Sequence, residues 1–540
     1  MARTTRICSV ALLLAVLGPV QAHAKRSEPS ALGLYARARI GGGTDAARAY
    51  SDALTAAPQE ATVAFHAFRQ AIVSGDYALA LRAAQSLERA NLVPPEARLL
   101  FYIAALRDRD WNAASVQLQA ITNEPNFAFM VPILADWLAL GSGEPALLSA
   151  TKVRNPVDSY GQESRALMML ARGDISGGSI FVRTLWPLDP YRAQSLRLTA
   201  AATLADRGER DAAVALLIAG DASTTAARAL IAKGRKLRFA TNTPASGTAF
   251  LLSRMAGDLV TEGAGRAATT LARLAQFADP ENPRIALIAA GAFAAGKDPT
   301  KANRQIALAL ANRLRGDPVY GSDAASLRID LLETLGDTDQ AVAEARARAG
   351  SSVDDLARVG DIEARRGNFA QAAAIFRQIL DGTPPNEITA ALLFATGNAL
   401  YRSGDWTAAR PYLERALTLA PGNPVLLNEL GYGLIEHGED TARAVKFLTM
   451  AGQMKPDSAA IMDSMGWANF RLGANDQAIA ELERAVALDN AEPEIGEHLG
   501  DAYWRGGRRI EARYSWTAAR VQADGVMAVR LDSKIDRGLP

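Results

Sequence analysis

From about residue 353 to residue 520 the apolar positions recur with the period of a helix, and they recur in pairs of runs. In the clearest stretch, 391–421, Leu393, Leu400 and Leu413 form an apolar stripe at helical spacing, Gly404-Asp405 interrupts it, and Pro421 closes it. This pattern predicts one helix ending at Gly404, a tight turn, and a second helix ending before Pro421, which cannot continue it. Gly397 and Ala409 are small where the two helices cross, so the backbones can approach closely, and Trp406 covers the joint.

The same pattern repeats. Gly360, Gly397, Gly431, Gly466 and Gly500 are separated by 37, 34, 35 and 34 residues, and each is followed seven residues on by a second glycine: Gly367, Gly404, Gly438, Gly473 and Gly507. An alanine then follows in each unit: Ala372, Ala409, Ala444, Ala478 and Ala512. The unit resembles the tetratricopeptide repeat, which implies an all-α superhelix, an α-solenoid of antiparallel helix pairs. One such pair cannot bury its apolar face alone; stacking on neighbours is what makes it stable.

Earlier repeats are less regular. Gly75-Asp76-Tyr77 with Ala80, Ala84 and Leu87, then Asp110-Trp111, Gly208-Glu209 and Gly336-Asp337, read as turns entering second helices. The chain divides accordingly into a leader at 1–24, degenerate helical hairpins at 25–240, divergent repeats at 241–352, five well-formed repeats at 353–520, and a capping helix and tail at 521–540. Thr241 to Gly247 is the expected boundary between two superhelices, and Trp186 to Pro190 an expected joint between hairpins.

The amino terminus adds a location. Basic Arg3 and Arg6 precede an apolar run from Ile7 to Val20 and the small-residue site Ala22-His23-Ala24, the pattern of a secretory leader cut after Ala24. The run is shorter than the roughly 20 residues a membrane span needs. Cys8, the one cysteine, lies inside it, and Lys25 stands where a lipoprotein would carry its acylated cysteine. The processed chain is therefore expected to be periplasmic or secreted, without thiol chemistry and without a lipid anchor. With 59 Lys and Arg against 58 Asp and Glu, the net charge of +1 draws it to neither nucleic acid nor anionic lipid.

Little in the sequence points to catalysis. Gly291 to Asp298 imitates a phosphate-binding loop, but Asp298 replaces the hydroxyl that would hold magnesium, and the preceding Arg284 to Ala290 is helical in pattern where a strand is required. His66, His437 and His498 lie in different repeats, which indicates neither a metal site nor a nucleophilic triad. No cofactor and no metal are expected.

What remains is a groove. In the repeat family that this chain resembles, the first helix of each pair lines a concave face. Counting from the recurring glycine places Phe394, Asn398, Tyr401, Arg402, Tyr432, Asp463, Trp467, Phe470, Arg471, Glu497, Asp501, Trp504 and Arg505 on it, an aromatic ladder edged by arginines. Such residues dominate protein recognition surfaces. Gly466-Trp467 and the stretch Glu497 to Trp504 are also similar to the last repeats of secreted bacterial tetratricopeptide proteins, and the carboxyl half is similar to lipoprotein adaptors that bring substrates to periplasmic processing proteases. The chaperone-clamp branch is not implied, because Phe394 replaces the clamp lysine. The expected function is a non-catalytic scaffold or adaptor that binds a protein or peptide in this groove. A polysaccharide ligand is the alternative, and a glycan-cleaving role for Glu497 and Asp501 a more distant one.

Overall fold

The structure, a computed structural model, describes residues 31–40, 43–145, 156–185, 189–218, 220–296, 299–350 and 353–539. The leader, part of the joint at 186–188, and Lys297 and Asp298 lie outside them. The described residues are helical hairpins joined by short turns, and they fall into two compact units that divide between Leu331 and Leu332.

The carboxyl-terminal unit carries the five repeats. Repeat 1 pairs Val353–Arg365 with Phe369–Gly382, repeat 2 Ala390–Arg402 with Trp406–Leu419, and repeat 3 Pro424–Glu436 with Thr441–Met454. Repeat 4 pairs Ala459–Arg471 with Asn475–Leu488, and repeat 5 Pro493–Arg505 with Arg509–Gln522; a terminal helix, Gly525–Arg537, follows.

The two glycines of each repeat do different work. A methyl group on Gly397 would sit 2.8 Å from the Leu413 side chain and 3.3 Å from the Ala409 carbonyl, so the first glycine is there for the crossing. Gly404 has φ of +89°, the left-handed geometry that ends a helix cheaply only at glycine. Asp405 then accepts a 3.0 Å hydrogen bond from the Ala408 amide and starts the second helix. The longer turn of repeat 3 takes its extra residue at Asp440, which itself adopts φ of +35° and caps Thr441–Met454. Trp406 is buried, and its ring reaches the next repeat, stacking on His437 at 5.1 Å and filling the space beside Gly433.

The amino-terminal unit departs from a simple stack. Helix Pro244–Thr261 packs on Val131–Ser142, Pro156–Arg172 and Pro95–Asp108, while Gly265–Ala278 packs on Pro95–Asp108 and Ala61–Ser74. Arg107 donates to the Phe277 carbonyl at 2.9 Å, and Arg273 to the Val73 carbonyl at 3.0 Å, across 170 and 200 residues of sequence. The expected boundary at 241–247 is therefore interior to this unit. Thr241 donates its amide to Thr203 at 2.9 Å and Asn242 its side chain to Asp206 at 2.7 Å, which ties the segment back to the preceding hairpin. Gly291 lies inside helix Pro283–Ala294, so the segment that imitates a phosphate loop has the wrong backbone for one.

The two kinds of helical glycine give opposite expectations. Gly500→Ala drives a methyl group into the fully buried Trp516 ring and should cost about 2 kcal/mol, whereas Gly291→Ala meets open space and should stabilise by about 0.5 kcal/mol. Chemical denaturation of the two variants beside the parent chain checks the opposite signs.

Candidate functional site

Successive first helices of repeats 2 to 5 lie side by side and form one face of the carboxyl-terminal unit. Its curvature shows in a single contact. The Tyr432 hydroxyl, on repeat 3, donates to Glu494, on repeat 5, at 3.3 Å, reaching past repeat 4 to do so. Only an inward-curving face brings side chains two repeats apart together.

The residues expected on this face do not form one continuous ladder. Phe394 is half-buried against the core, and Tyr401 packs edge-on against Trp406 at 5.5 Å and His437 at 6.2 Å. Asn398 donates to Glu429 at 3.3 Å, and Arg402 lies 4.6 Å over the Phe369 ring. Trp467 stacks on Phe470 at 4.9 Å and on His498 at 4.1 Å, while its indole N–H donates to Glu436 at 3.2 Å. Arg471 pairs with the same Glu436 at 2.6 Å. Phe470 packs beside Ile479 and Leu482, so this ring belongs partly to the core. Arg505 is exposed at the rim.

Three of the expected groove residues already have an occupant. The terminal helix lays Arg530 across Glu497, with nitrogen to oxygen distances of 2.7 and 2.5 Å, and Lys534 between Glu497 at 2.7 Å and Asp501 at 2.6 Å. Trp516 donates to Asp501 at 2.9 Å, and Trp504 is covered by Gly538 and by the guanidinium groups of Arg513 and Arg509 at 5.0 and 5.2 Å. Burial would push the Glu497 carboxyl up, but Arg530 and Lys534 more than offset it and hold it below its usual range. These carboxylates are buried and neutralised by the chain itself. Two glycosidase carboxyl groups would need open space between them for a sugar, and a lysine fills it.

Asp463 likewise faces a partner. Its carboxylate lies 2.9 Å from His498 Nδ1, and both side chains are buried. Burial works against a charged imidazole, yet Asp463, with Glu494 and Asp501 farther off, holds His498 above its ordinary value.

Sequence reasoning missed Glu429 and Glu494 as groove residues. Glu494 precedes its repeat glycine by six positions, two helical turns before Asp501 and so on the same helix face, but counting began only three positions before the glycine, and its meeting with Tyr432 across 62 residues depends on superhelical curvature. Among the described residues no group of three or more His, Cys, Asp or Glu side chains is arranged to hold a metal ion, and no helix is long and apolar enough to cross a membrane.

A tetratricopeptide repeat family model matches residues 327–388 and 358–424. The TPR repeat-containing protein PA4667 of Pseudomonas aeruginosa is 28% identical over 173 residues, 32% of this chain and 29% of that protein, so the match spans under a third of the relative's length. Among solved structures, TTC0263, a thermophilic TPR protein of Thermus thermophilus, is 24% identical over 34% of this chain and 98% of its own, with a TM-score of 0.30. Pseudomonas aeruginosa PilF is 20% identical over 34% of this chain and 85% of its own, with a TM-score of 0.28, and MamA of AMB-1 is 22% identical over 34% and 99%, with a TM-score of 0.26. The described residues are all-α, and the tetratricopeptide match falls on residues 327–424, within the region of stacked helix pairs, a fold whose general use is protein interaction.

Two expectations follow for the buried charges. Lys534→Met leaves Asp501 without its cation and should destabilise repeat 5 by about 3 kcal/mol in chemical denaturation. The His498–Asp463 pair stabilises fully below about pH 6.5, because folded His498 binds its proton more tightly than the unfolded chain does, and this contribution is lost as pH rises through the raised value. Thermal melts should therefore show the parent losing stability as pH rises above 6.5, and Asp463→Asn should remove that loss.

Proposed function

We propose that this protein is a non-catalytic scaffold that binds a protein or peptide partner along the concave face of repeats 2 to 4. The observation that carries the reading is the reach of Tyr432 to Glu494, which makes the face concave and long enough for an extended or helical segment. Phe394, Asn398, Tyr401, Arg402, Tyr432, Trp467 and Arg471 supply its contact surface. Phe470 supports it from behind by stacking on Trp467, and Arg505 marks its rim. Glu497, Asp501 and Trp504 act as the seat of the terminal helix, which closes that end of the groove to a partner. Aromatic side chains held by stacking lose little freedom on binding, which favours affinity.

In the same proposal the leader is removed after Ala24 and the processed chain works in the periplasm or outside the cell, so its partner is found there. Envelope assembly or delivery of substrates to a protease fits such a location and such a groove.

A photo-crosslinking residue placed at Asn398 or Tyr432, and in parallel at Tyr514, which is 74% exposed on the second helix of repeat 5, tests the reading in producing cells. Specific protein crosslinks are expected from the two groove positions, on a chain whose mass begins at Lys25, and none from Tyr514. Equal crosslinking from all three positions, or none from the groove, would refute it.

A further inference from the structure

Most carboxylates on the concave face are matched by a cation from the chain. Glu436 has Arg471, Asp463 has His498, and Glu497 and Asp501 have Arg530 and Lys534. Glu429 and Glu494 are different. Among the described residues neither makes an ion pair. Glu429 accepts from the Asn398 amide, and Glu494 from the Tyr432 hydroxyl. Burial pushes the Glu429 carboxyl up, with Arg402 and the Asn398 amide working against it and Glu494 adding to it, and burial likewise pushes the Tyr401 and Tyr432 hydroxyls up, again with Glu494 among the causes; Arg402 and Arg530 act on these carboxyls only at longer range than an ion pair. Two carboxyl groups without a direct ion pair are thus placed beside the Tyr401 and Tyr432 rings.

The unit as a whole leans the same way. Residues 332–540 hold 30 Asp and Glu against 22 Lys and Arg, a net charge of −8 that the near-neutral total conceals. The terminal helix, moreover, shows what this face accepts. It seats Arg530 and Lys534, one helical turn apart, on the carboxylates of repeat 5, directly beyond Glu494. A basic helix is therefore already docked on one end of the same surface.

Resting on the scaffold reading above, we propose that the partner segment is cationic, and that a lysine or arginine side chain of a basic protein segment seats between Glu429 and Glu494, flanked by Tyr401 and Tyr432. An ammonium or guanidinium there gains charge-assisted hydrogen bonds to the carboxylates and the attraction of an aromatic face. The geometry repeats at repeats 2 to 5 what the terminal helix does at repeat 5. An acidic segment would meet the same carboxylates with repulsion, which gives the groove its selectivity.

The full processed chain is titrated against a fluorescein-labelled peptide of alternating lysine and alanine and against its counterpart with glutamine in place of lysine, followed by anisotropy at 150 mM salt. The lysine peptide should bind at least tenfold more tightly. Glu429→Gln with Glu494→Gln should erase at least tenfold of that affinity, while Asp457→Asn with Asp476→Asn, which removes the same charge from exposed sites, should leave it within twofold. All variants are checked by circular dichroism melting. Equal binding of the two peptides, or equal loss in both double variants, overturns the cationic assignment. The scaffold reading is separated by the crosslinks from Asn398 and Tyr432. If they persist unchanged in Glu429→Gln with Glu494→Gln, the groove stands and the cationic assignment falls; if they are absent from the parent chain, both fall.

Discussion

The structure depends on the close crossing of two helices at a glycine. In each of the five repeats a side chain of the second helix, Phe376, Leu413, Leu448, Leu482 or Trp516, presses where a β-carbon would stand on Gly360, Gly397, Gly431, Gly466 or Gly500. That contact fixes the distance and angle within each hairpin. Because the hairpins are alike, it also fixes the step from one to the next, and the accumulated steps curve the face that the first helices share. The groove is the sum of five local crossings. Tyr432 meets Glu494 because each crossing is held to nearly the same geometry.

The amino-terminal unit shows the same hairpins used differently. There the pair Pro244–Thr261 and Gly265–Ala278 lies against helices far earlier in the chain, so its core is continuous rather than a row of neighbour contacts. Buried charge accompanies this. Glu163 accepts from Arg192, Tyr160 donates to Asp258 at 2.6 Å, and Arg254 pairs with Asp258 at 2.6 Å, which joins three hairpins through groups that cannot be left unpaired. This arrangement leaves a cavity of about 740 Å³ lined by Phe65, Phe68, Phe127, Phe129, Tyr160 and Phe293.

Charge pairing also differs along the concave face. At repeat 5 the carboxylates are consumed by the terminal helix, which covers the last apolar surface with Leu531 and neutralises Glu497 and Asp501 with Lys534. Toward repeats 2 and 3, Glu429 takes an amide rather than a cation as its partner, and the aromatic rings are only half-buried. The same residue types thus serve folding at one end and, in the function we propose, recognition at the other, and the difference lies in whether a cation of the chain makes a direct ion pair.

The repeat period, the helix pairs, both sets of glycines and the five well-formed units were legible in the amino-acid sequence, because each is a local requirement. A left-handed φ at Gly404 or a crossing at Gly397 involves residues within one repeat, so it leaves a mark at fixed spacing. Counting from those glycines also places Tyr401, Tyr432 and Trp467 on the first helices that share a face. It could not show that Glu497, Asp501 and Trp504 are covered, since Lys534 and Gly538 reach them from a helix with no place in the repeat. Nor could it find Glu494 opposite Tyr432, 62 residues away, or the closure of Gly265–Ala278 on Ala61–Ser74. Those contacts have no sequence period. The repeat belongs to the sequence because it is short-range physics; the groove's charge, its occupied end and the closed amino-terminal unit were decided only when distant helices packed together.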